Sequence, residues 1–318
     1  MKNRVLVTLM LSAFGFADIP AIAQTTVKPL STPSSVVAKD AEVIPELMEG
    51  ELDKWVKKLN IYTDLFNRSA RGVDSWKRYT SWVDLKAGPT GKERIIYGLY
   101  SLYDDTAASY APKAITAASA EPKMVPLDAT VIDFATSVLA LQPLFKEASN
   151  YYSRKDYTDD SFAKGRELHP KLVAAFKDYI AKREIFDDQL TSLKKQVDVQ
   201  FLAQIERTEG RKYRWHAKRT VLEAQKTLEV LTVTQSKKDL PAFAEAVKKY
   251  AEVVHEFDEY IANANDLKGR SLGDQPGSLL AKFRDAREAL EKGQERSFVN
   301  HANGAISKYN MMIKFNRI

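Results

Sequence analysis

Histidines, carboxylates and tyrosines are the first side chains to search for chemistry; the sequence contains no cysteine and hence no thiolate ligand, cysteine nucleophile or disulfide. Four histidines, His169, His216, His255 and His301, stand far apart. Glu252 and His255 have the Glu-x-x-His spacing that sets two side chains on one helix face, but a di-iron bundle needs a second such pair and two further glutamates. No second pair exists, and Glu259 occupies the place where a zinc protease carries its second histidine. Glu252 and His255 therefore read as surface or capping residues. Adjacent acids at Asp104-Asp105, Asp159-Asp160 and Asp187-Asp188 suggest glycoside cleavage only until helix geometry is applied. Neighbours on a helix point in different directions, and Asp159-Asp160 falls where a helix should begin, a position that favours negative charge. No catalytic residue, metal site or cofactor is expected.

The stretch "AGPTGKERIIYGLYSLYDD" resembles a phosphate loop at first glance. A P-loop, however, needs four residues between its glycines and a hydroxyl after its lysine, whereas Gly88 and Gly91 are three apart and Lys92 precedes Glu93. Gly88, Pro89 and Gly91 are read instead as a structural turn, with proline pre-set for its second position. Beyond it Tyr97, Tyr100 and Tyr103 recur every third residue, along one side of a helical or extended segment. Together with Tyr151 and Tyr152 of "NYYSRKDY" they are the candidate ligand or partner surface, since tyrosine joins a large apolar body to a hydrogen-bonding tip. Whether these rings are core or surface stays open at this stage.

The elements that must position them are helical. Leu52, Trp55, Val56, Leu59, Tyr62, Phe66, Val73, Trp76, Tyr79 and Val83 recur at helical steps, and Gly72 weakens this run without ending it. A second helix begins near Asp128, with the aspartate as cap and Pro143 as a kink. The apolar spacing continues from Leu172 to Ile205, with Pro170 and Gly210 marking bends or breaks. Another helix starts at Asp239 or Leu240 with Pro241 in its first turn, and two more run from about Ser278 to Lys292 and from about Ser297 onward. No stretch alternates as a strand does. The expected fold is all-α, an elongated antiparallel helical bundle with long, coiled-coil-like helices occupying 45–318 as one domain.

Ahead of that domain, Lys2 and Arg4, an apolar run from Val5 to about Ala17, and Ala21-Ile22-Ala23 form a secretory signal, with cleavage expected after Ala23. Residues 24–44, rich in Ser, Thr and Pro, read as a disordered linker. The leader holds Lys2, Arg4 and Asp18, so of the formal +6 the mature chain keeps +5. Spread among 28% charged residues of both signs, this excess argues against nucleic acid and permits only weak association with anionic surfaces. No transmembrane segment is expected in the mature chain.

Asparagine at a helix seam can fix register. Asn60 and Asn67 of the first helix and Asn310 and Asn316 of the last are accordingly expected to lie near each other, with those helices side by side.

"RYTSWVDLKAGPTGKERIIYGLYSL", the later "YYSRKDYTDDSFAKGRELHPKLVAAFKDY" and the closing "AISKYNMMIKFNRI" resemble the YiiG-like family of bacterial envelope proteins, whose domain has no established function. The resemblance covers nearly the whole mature chain and implies a helical, exported protein, frequently a lipoprotein. Here no cysteine stands near Ala23, so a free periplasmic protein rather than a lipoprotein is expected. Two readings of function follow. The first is a non-enzymatic protein binding an envelope protein or polymer along its helical surface; the second is a small-ligand or metal binder, or an enzyme of unrecognised type, using the tyrosine-rich surface.

Overall fold

A computed structural model describes residues 44–264 and 272–315. The signal segment, nearly all of the linker and Asn316 lie outside the described residues. The chain divides into two compact units, one ending at Val197 and the other beginning at Asp198, where the sequence reading takes 45–318 as one domain. Among the described residues every regular element is a helix, apart from an isolated bridge between Asp84 and Gly88.

The first unit is built from α1 (Glu49–Ser69), α2 (Arg71–Thr80), α3 (Ala111–Ser119), α4 (Leu127–Arg154) and the leading part of α5 (Ala163–Glu209). The single run expected from Leu52 to Val83 is broken at Ala70. A helix end leaves carbonyls without partners and a partial negative charge, and α5 supplies both donors and a cation. Arg183 Nη1 donates to the Phe66 carbonyl at 2.7 Å and to Ser69 Oγ at 2.9 Å, and the Tyr179 hydroxyl donates to the Ser69 carbonyl at 2.5 Å. Arg183 is buried, its guanidinium 3.6 Å from the centre of the Phe66 ring. Around this joint Phe186 packs against Tyr62, Phe66 and Phe134, while Phe176 packs against Trp76, Tyr79 and Phe145.

A second buried cation ties α1 to the start of α4. Lys58 Nζ donates to the carbonyls of Ala120 and Pro122, at 2.9 and 2.8 Å, and pairs with Asp128 at 3.0 Å. Asp128 also accepts from the Tyr62 hydroxyl at 2.5 Å and from the Met124 amide at 2.9 Å. Asp128 thus lies in the first turn of α4 but does not cap it: Pro126 holds the cap position without a side-chain cap bond, and the principal partners of the aspartate are a lysine and a phenol from another helix. In α4 the buried stripe Val131, Phe134, Val138, Leu141 and Phe145 faces the core. By length and composition α4 is the one described helix able to cross a membrane, a test that core helices also meet. Pro143 lies inside α4 and Pro170 inside α5 without ending either helix.

The second unit holds the end of α5 and α6 (Tyr213–Val233), α7 (Leu240–Asn263), α8 (Gln275–Glu291) and α9 (Glu295–Phe315). α6 packs on α7, α7 on α8, α8 on α9 and α9 back on α6, which closes a four-helix bundle. Its core alternates steps of four and three: Val221, Ala224, Leu228 and Leu231 on α6, Phe243, Val247, Tyr250, Val254 and Phe257 on α7, and Phe298, Ala302, Ala305, Tyr309 and Met312 on α9. This is the knobs-into-holes spacing of coiled-coil seams. Gly210, at φ 78°, ends α5. Asn60 and Asn67 therefore belong to the first unit, where α1 packs on α3 and α4, and Asn310 belongs to the second, where α9 packs on α8 and α6.

Gly72 matters for a reason its helix propensity conceals. A Cβ at this position would stand 2.9 Å from two carbons of the Tyr179 ring, which is itself pinned to the Ser69 carbonyl. Gly72→Ala should gain up to about 1 kcal/mol of helix propensity yet lose roughly 1–3 kcal/mol to overpacking against a ring that cannot retreat. A net fall in thermal midpoint is expected by calorimetry; an unchanged or raised midpoint would show that the joint is not tightly packed.

Candidate functional site

The chain reverses at 85–87, between the bridged Asp84 and Gly88, rather than in a turn spanning 88–91 with Pro89 at its second position, and the corner is fastened on both sides. Gly88 and Gly91 have φ of 71° and 82°, which favours glycine. Asp84 Oδ1 accepts the amides of Lys86 and Ala87, both at 2.8 Å, and Gly88 N donates to the Asp84 carbonyl at 2.9 Å. Glu93 then takes the amides of Thr90 and Gly91 at 2.6 and 2.8 Å. A Cβ on Gly88 would meet the His169 ring at 3.1 Å, and one on Gly91 would meet Phe162 at 3.1 Å, so the corner sits directly on α5 and the loop before it.

From Lys92 to Tyr103 the chain has neither helix nor strand, and it runs back antiparallel along α2. Trp82 Nε1 donates to the Gly98 carbonyl at 2.9 Å, Arg78 Nε to the Tyr97 carbonyl at 2.8 Å, and Ser75 Oγ to the Tyr100 carbonyl at 2.7 Å. The arginines of α2 interleave with the tyrosines. The guanidinium of Arg78 lies 4.5 Å from the Tyr100 ring centre and 5.8 Å from that of Tyr97, and Arg71 lies 4.8 Å from Tyr100 and 5.2 Å from Tyr103. The register follows from two element geometries. Seven helical residues rise about 10 Å, and three residues of open chain reach up to about 10 Å, so arginines seven apart meet gaps between tyrosines three apart. Tyr97 is 44% exposed, and Tyr100 and Tyr103 are half-buried.

Among the described residues neither Arg71 nor Arg78 has a carboxylate partner. Their side-chain hydrogen bonds go to neutral oxygens, including the Tyr100 hydroxyl at 2.8 Å from Arg78 Nη1 and the Tyr103 hydroxyl at 3.4 Å from Arg71 Nη1. Next along the surface Arg68 lies over Tyr110 at 5.0 Å and pairs with Asp105 at 3.8 Å, and Lys113 lies over Tyr110 at 5.7 Å.

The other two candidate tyrosines have a different fate. Tyr151 and Tyr152 are each 5% exposed and lie within a ring cluster that includes Tyr79, Trp82 and Tyr157. The Tyr151 hydroxyl donates to Asp160 at 2.8 Å, and Asp160 also accepts the Lys164 amide at 2.9 Å in the first turn of α5. Burial raises the Tyr152 phenol far above the ordinary tyrosine range and pushes Tyr79 up to about 12. The Tyr79 hydroxyl is 2.9 Å from His169 Nδ1, and Nε2 is 3.2 Å from the Leu85 carbonyl. A carbonyl only accepts, so Nε2 carries the proton and Nδ1 accepts from Tyr79. Gly98, at φ 63°, presses its backbone onto Tyr152, where a Cβ would stand 2.9 Å from that residue's own Cβ.

Two features escaped the sequence reading. The first is "RKYRWHAKR", residues 211–219, a basic run interleaved with aromatic rings. Arg211 and Arg219 flank the buried Trp215 at 4.8 and 5.2 Å, and the His216 ring stacks on Tyr260 at 4.6 Å beside an open cleft of about 480 Å³ that Glu256, Glu259 and Asn263 also line. Burial and the neighbouring Arg219 hold the His216 imidazole below the ordinary histidine range. Four of the run's five cations, unlike Arg71 and Arg78, are neutralised locally: Arg211 by Glu206, Arg214 by Glu209, Lys218 by Asp198 and Arg219 by Glu256. The second is the string Gly269-Arg270-Ser271-Leu272-Gly273, which spells a nucleophile elbow. That motif works at a strand-to-helix turn; no strand occurs among the described residues, and Ser271 lies outside them.

The sequence that builds this helical structure matches a known family. Residues 53–314 match the profile of the protein of unknown function DUF3829, and the chain belongs to that family. It is also 25% identical over 236 residues to the "Uncharacterized protein YiiG" of Escherichia coli strain K12. That similarity covers 74% of this chain and 66% of the relative, just under two thirds of its length. No solved structure matches.

Beside the strip, Asp64 offers a pH test. Burial raises its carboxyl from 3.8 to about 6, against the pull of Arg68 and Lys113. An acid raised in the folded state costs stability once it ionises, so the fold should weaken as pH climbs from about 4 through about 6. Asp64→Asn is expected to match the parent in thermal midpoint at pH 4 and to exceed it at pH 7. A pH-independent difference would mean that Asp64 ionises as freely in the folded chain as in the unfolded one.

Proposed function

We propose that this chain is an exported, non-enzymatic binding protein that engages an envelope protein or polymer through the arginine–tyrosine strip on α2 and residues 97–103. The observation that carries this reading is the pair Arg71 and Arg78: two surface guanidiniums without acidic partners, held in place by tyrosine rings. The buried cations have a counter-charge, Lys58 in Asp128, Lys218 in Asp198 and Arg183 in a helix end, whereas Arg71 and Arg78 lie against neutral rings and oxygens. Guanidinium is weakly hydrated and stacks on aromatic faces, which suits it to recognition. Tyr151 and Tyr152 contribute by anchoring the strip from beneath rather than by contacting a partner. The charged, apolar and small-residue segments of the leader, and the absence of a cysteine near Ala23, favour a free periplasmic protein rather than a lipoprotein.

Two measurements test this. Amino-terminal sequencing of the protein recovered from the periplasm should begin at Gln24; an intact leader on a cytoplasmic protein would remove the export half of the reading. A photo-crosslinking amino acid at Tyr97 should trap a discrete partner in living cells, and the same group at the exposed Thr136 of α4 should not. Equal labelling at both positions, or none at Tyr97, would remove the strip as the binding surface.

A further inference from the structure

Resting on that reading, we infer that the strip takes one chemical class of partner: a polysaccharide carrying widely spaced anionic groups. Three features of the surface point there. The two guanidiniums lie 4.8 and 4.5 Å from the centre of the one Tyr100 ring, which sets them at most about 9 Å apart, whereas phosphates follow one another at about 3.4 Å along each strand of duplex nucleic acid. A glycan in which only some rings are acidic can meet both guanidiniums with consecutive charges, whereas a phosphate chain would leave unmatched phosphates between them. Asp74, on the same side of α2 between the arginines, and Asp104, just past Tyr103, are exposed and pair with neither guanidinium. They repel a densely charged polymer while leaving a sparsely charged one its two contacts.

The third feature is the tyrosines themselves. Tyr97, the most exposed of the three, offers an apolar ring edged by a hydroxyl, which matches the C–H face and hydroxyl rim of a sugar ring. Tyr100 spends its hydroxyl on Arg78 and its ring on both guanidiniums, so it fixes the cations rather than contacting the partner. The surface is an open row rather than a pocket, and a row is read by a chain laid along it. A sugar ring set on Tyr97 would be followed along the row by anions held at Arg78 and then at Arg71, with Tyr100 beneath the two guanidiniums. None of this requires the backbone to move, because Gly98 is already seated on Tyr152 and Trp82 already holds the Gly98 carbonyl.

The experiment is a titration of the full mature chain with hyaluronate, a polysaccharide with one carboxylate on every second ring, alongside uncharged dextran, single-stranded oligothymidylate and vesicles containing phosphatidylglycerol. Binding is followed by tryptophan fluorescence and calorimetry. Hyaluronate should bind, dextran should not, and the affinity should fall as salt rises. The double variant Arg71→Gln/Arg78→Gln should bind at least tenfold more weakly, and Arg71→Lys/Arg78→Lys, which keeps the charge but loses the fork, should fall between the two. Tighter binding of oligothymidylate or vesicles than of hyaluronate overturns the inference, as does undiminished binding by a folded Gln variant. Should the Gln variant fail to fold, hydrogen exchange on the unaltered chain decides: hyaluronate must slow exchange at 92–105, and slowing confined to other regions overturns the inference. Failure here with persistent crosslinking at Tyr97 in cells refutes the glycan and leaves the binding strip standing; loss of both refutes the strip.

Discussion

The end of α1 is the constraint on which the first unit depends. A helix that stops inside a protein leaves carbonyls that water cannot reach, and each would cost about 1–3 kcal/mol if left without a donor. Arg183 and Tyr179 remove that cost at Phe66 and Ser69, and in doing so bring a cation into the core that has the helix end as its counter-charge. Because the chain turns there, α2 leaves in a new direction with Trp76 and Tyr79 facing Phe176 and with Arg71 and Arg78 facing the returning segment. The strip is thus a remote product of a joint made by a helix more than a hundred residues later.

That distance explains what the sequence could and could not reveal. The start of α7 at Leu240 with Pro241 in its first turn, and the positions of α8 and α9, follow from local signals of period and punctuation, and all were legible. The break at Ala70 was not, because nothing near Ala70 stops a helix; the cause is Tyr179 pressing on Gly72 and Arg183 reaching Phe66. Asp128 shows the same division. Its place at a helix start is local and was readable, whereas its pairing with Lys58 and Tyr62 depends on how two helices cross.

The candidate site was half legible for a related reason. Five tyrosines look alike in a sequence, yet Tyr97, Tyr100 and Tyr103 lie on a surface strip while Tyr151 and Tyr152 are sealed under it. Arg71 and Arg78 carry no signal at all, since arginines two turns apart on an amphipathic helix look like any solvated face. Only the absence of acidic partners around them, visible once the chain is folded, separates them from the matched cations of "RKYRWHAKR".

Tyr100 is the one ring that both guanidiniums share. Salt weakens the direct repulsion between these two cations, but a common ring makes the position of each depend on the other. Substitutions at positions 71, 78 and 100 should then be strongly non-additive, with the first change costing most and later ones little.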